Sequence, residues 1–249
     1  MTSPFSLTGK TILITGASSG IGRAAAIEVS RAGADCCVLV ARNEKALKET
    51  ASMLSESCRS LILSCDLSDA DSIQSLVNDI PVLDGVVFNA GINKMKPLPF
   101  WAETDLHDIF GVNCFAPALL LKSLVRKKKL ANPSSVVFTA SISGHSNVSV
   151  GNGIYGASKA ALTAFMKYSA LELASKGIRC NAVHPGRVET PLIHKFTSEE
   201  DIRKDLTRYP LGRYALPEEV AWTFVYLLSD AAAYITGSDI VIDGGRSLT

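Results

Sequence analysis

Thr11-Ile12-Leu13-Ile14-Thr15-Gly16-Ala17-Ser18-Ser19-Gly20-Ile21-Gly22-Arg23 is the stretch on which the fold turns. Five β-prone residues run into a turn with glycine at 16, 20 and 22, and helical periodicity follows. Glycines there permit a tight bend, backbone approach by a pyrophosphate and close packing of helix on strand. The helix N-terminus adds N–H groups and the positive end of its dipole. Gly16, Ser18, Ser19, Gly20, Ile21 and Gly22 are therefore candidate cofactor-binding residues. The spacing Gly-x3-Gly-x-Gly differs from GxGxxG, and glycine also serves as an ordinary exit from a strand. Position decides between these readings, because the turn closes the first strand of a chain that alternates strand and helix to its end.

Working outward, short apolar runs recur at 36–41, 60–64, 85–88, 135–139, 178–183 and 239–242. Their hydrophobicity is continuous rather than alternating, which implies strands buried on both faces. The expectation is α/β: a single doubly wound Rossmann domain over 1–249, with a seven-stranded parallel sheet in the order 3-2-1-4-5-6-7 and helices on both faces. About thirty residues, Gly186 to Leu216, separate the sixth strand from the helix opened by Pro217. That exceeds the usual ~2–6 residue connection, so 186–216 is expected to form a substrate lid.

Composition narrows the class. Of 249 residues 47% are apolar and 20% charged, with a net charge of +1, which excludes a disordered chain. Near-neutral balance supplies no attraction for nucleic acid or an anionic membrane, and neither is expected as a partner. No run approaches the ~18 consecutive apolar residues of a spanning segment. The N-terminus lacks the pattern of a secretory signal, so a cytoplasmic location is expected. Six cysteines show no metal spacing and read as buried free thiols, and no metal site is expected.

The second strand bears on the cofactor. An NAD enzyme places an acid near its end to accept from the ribose 2′-hydroxyl. Here the end reads Val40-Ala41-Arg42-Asn43. Arg42, with Asn43 beside it, suits a 2′-phosphate, although an arginine solvated at a strand end is common. NADP(H) is expected, with NAD(H) as the alternative. Asp66 and Leu67 follow the third strand, where Asp66 either accepts from an adenine amino group or belongs to a helix cap around Ser68-Asp69. Asn89, Ala90 and Gly91 follow the fourth, where they either line the cofactor groove or simply turn the chain.

Tyr155-Gly156-Ala157-Ser158-Lys159 carries the chemistry. The i, i+4 spacing places Tyr155 and Lys159 on one helix face, where an ammonium lowers a phenol's pKa toward a range useful for acid–base work. Taken alone, the pair also occurs by chance on exposed helices. Together with Thr15-Gly16-x3-Gly20-x-Gly22, Asn89-Ala90-Gly91, Asn113, Ser141, Pro185-Gly186 and Tyr234-Ile235-Thr236-Gly237…Asp243-Gly244-Gly245, it gives a chain that resembles the short-chain dehydrogenase/reductase family along its whole length. The 3-oxoacyl-(acyl-carrier-protein) reductase-like group is the nearest.

The resemblance implies an NADP(H)-dependent oxidoreductase that moves hydride between nicotinamide and a carbonyl or secondary-alcohol small-molecule substrate. Tyr155 would be the general acid or base. Lys159 would hold ribose hydroxyls and depress the tyrosine pKa, Ser141 would orient the carbonyl, and Asn113 would shape its helix and anchor a proton-relay water. Pro185, Gly186, Val188 and Thr190 would meet the nicotinamide end. Ser141 and Ser143 lie fourteen and twelve residues before Tyr155, one either side of the family spacing. Ser141 is chosen because Ser-x-x-Gly matches it with Gly144. Asn93, Ile142, His145, Asn147, Gly151, Gly153, Ile154 and Leu192 would line the substrate pocket. A homotetramer or homodimer is implied, consistent with the aromatic helix carrying Trp222, Phe224 and Tyr226. The competing classes are an NAD(H)-dependent hydroxy-compound dehydrogenase on the same site and a non-catalytic dinucleotide-sensing regulator.

Overall fold

The computed structural model describes residues 3–190 and 199–249. Seven strands, β1 (Thr11–Thr15), β2 (Cys36–Ala41), β3 (Arg59–Ser64), β4 (Leu83–Phe88), β5 (Leu130–Thr139), β6 (Ile178–Pro185) and β7 (Asp239–Ile242), form one parallel sheet. Its order is β3-β2-β1-β4-β5-β6-β7. The eight helices are α1 (Gly20–Arg31), α2 (Glu44–Ala51), α3 (Ala70–Asp79), α4 (Glu103–Phe110), α5 (Ala116–Arg126), α6 (Gly153–Leu173), α7 (Glu199–Leu206) and α8 (Pro217–Leu228) among the described residues.

Alternate strand residues feed two cores, as the twofold period of a strand requires. Leu13, Val38, Val86, Val136 and Phe138 pack with Ile73, Leu120, Leu162 and Met166 of α3, α5 and α6. On the other face Ile12, Ile14, Leu39, Val87, Val137 and Val183 pack with Val29, Leu47, Phe224 and Leu227 of α1, α2 and α8. Phe224 is thus spent inside the fold, while Trp222 bonds Glu28 across to α1 at 2.9 Å. All six cysteines are free and buried.

The structure corrects some boundaries. β5 starts at Leu130, ahead of the apolar run, because Leu83 pairs with Leu130 before a register irregularity admits Pro133 and pairing resumes at Gly85 and Ser135. The expected lid is not one irregular segment. It contains α7, which buries no side chain and is supported by the Lys204–Glu200 pair at 2.8 Å, so no apolar period announced it. Val188 bridges to Ala215 beyond it. Leu192 lies outside the described residues. The run Glu103–Arg126 is by length and composition sufficient to cross a bilayer. Here Ile109, Leu120, Leu121 and Leu124 of that run are buried against the rest of the fold.

Candidate active site

The chain leaves β1 toward β2 on one side and β4 lies on the other, so the connections diverge and open a crevice at the carboxyl ends of these strands. The Thr15 hydroxyl ties its floor, accepting from the backbone N–H groups of Asn89 and Ala90 at 3.0 Å each. Gly16 has φ +69°, and a Cβ there would come within 3.0 Å of Ala90 Cα. At Gly22 a Cβ would sit 2.2 Å from the Gly16 carbonyl oxygen, so α1 packs directly on the turn. Ser19 precedes α1 without a side-chain capping bond, and the first turn holds no acid. Its N–H groups are therefore left for an anion. Ser18 is braced by Arg23, which donates to its carbonyl at 2.7 Å, and Ile21 packs half-buried on the core. Thr190 Cγ2 is 3.5 Å from where a Cβ of Gly20 would lie, which brings the segment after β6 to the glycine turn.

Arg42 is exposed just beyond β2, its carbonyl accepting from the Ser64 hydroxyl at 3.1 Å. Asn43 caps α2 by accepting from Ala46 N–H at 3.1 Å. The cap of α3 is Asp69, which accepts from Asp71 and Ser72 N–H. Asp66 instead closes a turn, accepting from the Ser68 hydroxyl and N–H at 2.7 and 2.9 Å, and the hydroxyl contact holds its carboxyl below the usual range. Leu67 packs half-buried on the core.

Deeper in the crevice, α6 delivers two side chains. Lys159 is 3% exposed and its Nζ donates to the Thr139 carbonyl at 2.7 Å. Burial pushes its pKa down to about 8. The same Nζ is 5.9 Å from the Tyr155 ring centre and 3.4 Å from where a Cβ of Gly91 would be. Tyr155 departs from expectation. Burial raises its phenol above the ordinary range, and the Ser141 hydroxyl opposes that shift. The phenol is thereby held protonated at neutral pH, the state that donates.

Of the two serines, Ser141 is the one whose hydroxyl opposes the upward shift of the Tyr155 phenol. Ser143 donates its backbone N–H to Ser141 Oγ at 3.1 Å. Gly144 explains the Ser-x-x-Gly pattern, since a Cβ there would meet Ala160 N at 2.5 Å and push α6 away. Asn113 lies in a π-helical turn, Gly111–Phe115, between α4 and α5. Its amide pairs with Ile92 like a strand, accepting from the N–H at 2.8 Å and donating to the carbonyl at 2.9 Å, and it also donates to Ser158 Oγ at 3.0 Å. The side chain thus competes for backbone partners and holds a widened turn, a form that tends to occur at functional sites.

Behind the crevice, Gly186 donates to Ile242 and has no room for a Cβ beside Asp243 Cα, 3.0 Å away. Pro185 ends β6, and Val188 is buried beside Ala215. Among the pocket residues, Asn93 donates to Asn152 at 2.8 Å, whereas Ile142 and Ile154 are buried and Gly153 lies under Trp101. Three participants were missed by the sequence reading. Thr15 was legible as a hydroxyl at a strand end. Thr139 acts through its carbonyl and leaves no side-chain signal. His184, fully buried below Ser141, was marked by being polar within the apolar run before Pro185. Among the described residues no group of three or more His, Cys, Asp or Glu could hold a metal.

Comparison with known proteins agrees with this geometry. A family model described as enoyl-(acyl carrier protein) reductase matches residues 16–247. The chain is 34% identical over 239 residues to the 3-oxoacyl-(acyl-carrier-protein) reductase FabG of Rickettsia felis, covering 96% of this chain and 97% of that one. Sorbose reductase sou1 of Schizosaccharomyces pombe is 34% identical over 258 residues, with 98% of each covered. Among solved structures, the Pseudomonas aeruginosa RhlG/NADP active-site complex superposes with a TM-score of 0.92 at 30% identity, covering 99% of this chain and 100% of that one.

Proposed function

The chain belongs to the short-chain dehydrogenase/reductase family, oxidoreductases that bind a nicotinamide dinucleotide, and on that premise we propose that it is an NADP(H)-dependent carbonyl reductase or secondary-alcohol dehydrogenase with Tyr155 as its acid and base. The observation that carries the reading is the buried ammonium of Lys159, which donates to the Thr139 carbonyl at 2.7 Å and lies 5.9 Å from the ring centre of Tyr155, the phenol on which the Ser141 hydroxyl acts. A regulator that only senses a dinucleotide has no use for that combination.

The residues present fit a dinucleotide. The turn at Gly16, Ser18, Ser19, Gly20, Ile21 and Gly22 offers an uncapped helix end to a pyrophosphate, and Gly91 leaves open the approach to Lys159. Arg42 favours a 2′-phosphate, and the absence of an acid at the end of β2 argues against NAD(H), the alternative. When bound, the dinucleotide supplies or takes the hydride. The chain supplies the rest. Tyr155 Oη gives its proton to the substrate oxygen in reduction and receives it in oxidation, and Ser141 Oγ orients that oxygen. Lys159 holds positive charge below the phenol and would grip ribose hydroxyls. Asn113 keeps the Ile92 backbone beside Lys159 and would anchor a relay water. Asp66 and Leu67 would border the adenine, Asn89 and Ala90 the groove, and Pro185, Gly186, Val188 and Thr190 the nicotinamide end. The segment 186–216 would close over the substrate.

Assembly as a homotetramer or homodimer and a cytoplasmic setting belong to the same proposal. Tyr168 and Leu171 of α6 and Phe115 and Leu119 near α5 stand exposed, an apolar surface that a second copy would cover. The test is a screen of NADPH oxidation against ketones, 3-oxoacyl thioesters, sugars and steroids. Tyr155→Phe should lower kcat at least about a hundredfold on any accepted substrate while NADPH fluorescence still reports binding. Retained turnover in that variant would remove Tyr155 from the chemistry.

A further inference from the structure

His184 is a buried ionisable group that takes no direct part in the proposed reaction. It lies on β6, wholly excluded from solvent, with both ring nitrogens engaged. Nδ1 is 3.2 Å from the carbonyl oxygen of Ser141, and Nε2 is 3.1 Å from Asp239 Oδ1. The pairing of β6 with β7 sets this up. Asp239 is opposite Ala182, so His184, two residues on, projects from the same face as its partner. Lys167 of α6 holds the other carboxylate oxygen at 2.6 Å, and the His145 ring lies 4.6 Å away between centroids.

Both partners of the ring are acceptors. A nitrogen without hydrogen would place a lone pair against an oxygen, so the ring bonds both partners only as the imidazolium, donating from Nδ1 to the Ser141 carbonyl and from Nε2 to the Asp239 carboxylate. Burial lowers the pKa of the imidazole, and the Ser141 carbonyl and Asp239 pull it back. The contact falls on the residue whose hydroxyl lowers the pKa of the Tyr155 phenol against burial. Ser141 has extended backbone, φ −167° and ψ 151°, immediately before the short helical turn Ile142–Gly144. Its side-chain direction depends on how that peptide is held.

We infer that His184 is a positioning residue: by donating from Nδ1 to the Ser141 carbonyl, with its other nitrogen anchored through Asp239 to Lys167, it fixes the peptide that aims the Ser141 hydroxyl at Tyr155. The inference rests on the proposed roles of Ser141 and Tyr155. It links α6, which carries the phenol, to the loop carrying the serine, through β6 and β7. Small errors in such an alignment cost rate rather than binding.

Two polar variants separate the ring's two contacts. In His184→Asn the amide nitrogen stands near the position of Nδ1 and can still donate to Ser141. In His184→Gln it stands near Nε2 and serves Asp239 alone. His184→Asn should keep kcat within about threefold, and His184→Gln should lower it about ten- to a hundredfold, with KM for the dinucleotide unchanged in both. In a Ser141→Ala background, His184→Gln should cost nothing further, whereas a general packing role would cost the same in either background.

A second readout needs no substrate. The Ser141 hydroxyl lowers the pKa of the Tyr155 phenol. Fluorine NMR of the 3-fluorotyrosine-labelled chain, assigned with Tyr155→Phe, should therefore show the Tyr155 midpoint rising in His184→Gln toward its value in Ser141→Ala. In His184→Asn it should stay in place. An unmoved midpoint in a folded His184→Gln overturns the inference. A chain that reduces none of the carbonyls screened would sink the proposed activity instead, and the NMR result would still judge His184.

Discussion

Arg42 shows how much one exposed residue can decide and how little its surroundings disclose. Among the described residues its guanidinium makes no hydrogen bond or ion pair, and it stands just beyond β2, its backbone carbonyl accepting from Ser64. In the function proposed for the chain it discriminates through charge. A 2′-phosphate meets a planar cation able to donate twice, while an unphosphorylated ribose gains little from it. Arg42→Asp should lower the ratio of kcat/KM for NADPH over NADH by about tenfold or more, the scale of a charge-assisted hydrogen bond lost and replaced by repulsion. Steady-state kinetics with both cofactors measure this, and an unchanged ratio would rule Arg42 out. The identity and position of this residue were legible in the sequence because Asp, Glu and Arg at one strand end make opposite offers. The Tyr155 phenol was not so legible. Spacing put an ammonium one turn away, but burial set the direction of its shift, and burial belongs to the folded chain.

At the scale of elements, glycines that look alike in sequence differ sharply. A methyl group at Gly22 would enter the backbone of Gly16, which cannot withdraw without opening the turn. At Gly111, with φ −52° and nothing within 4 Å of the added carbon, the same change meets open space. Gly22→Ala should therefore destabilise the fold by about 1–3 kcal/mol and weaken NADPH binding. Gly111→Ala should be neutral or stabilise by roughly 0.4–1 kcal/mol through the unfolded chain. Urea denaturation with dinucleotide titration checks both, and equal losses would show that close packing of α1 on the turn is not what requires Gly22. The glycine turn and most strands were readable because continuous apolar runs mark strands buried on both faces. The start of β5, the π turn at Asn113 and α7 were not. The first crosses a proline through irregular pairing, the second turns on an Asn113 side chain that pairs with the Ile92 backbone, and the third buries no side chain.

For the molecule as a whole, Lys159 opposes stability. Its ordinary pKa of 10.5 falls to about 8 on burial. Between those values the unfolded chain binds more protons, so this group's contribution to stability rises with pH across that window, and its full penalty is present at neutral pH. Lys159→Met should make the fold more stable at neutral pH by about 1–2 kcal/mol, the unpaired Thr139 carbonyl offsetting part of the gain. That difference should fade toward pH 10.5. Denaturation at both pH values tests this, and a destabilised variant at neutral pH would refute it. The sequence by itself determined the class of fold, the glycine turn that closes β1 and which tyrosine and lysine share a helix face. These follow from periodicities of two and 3.6 residues and from glycine's missing side chain, which are local properties of the chain. Only the tertiary structure decided that His184 stands under Ser141 and that Asp69 rather than Asp66 caps α3. The first depends on the distance between segments far apart in sequence, set by packing two cores against one sheet; the second is a contact of Asp69 with the backbone two and three residues on.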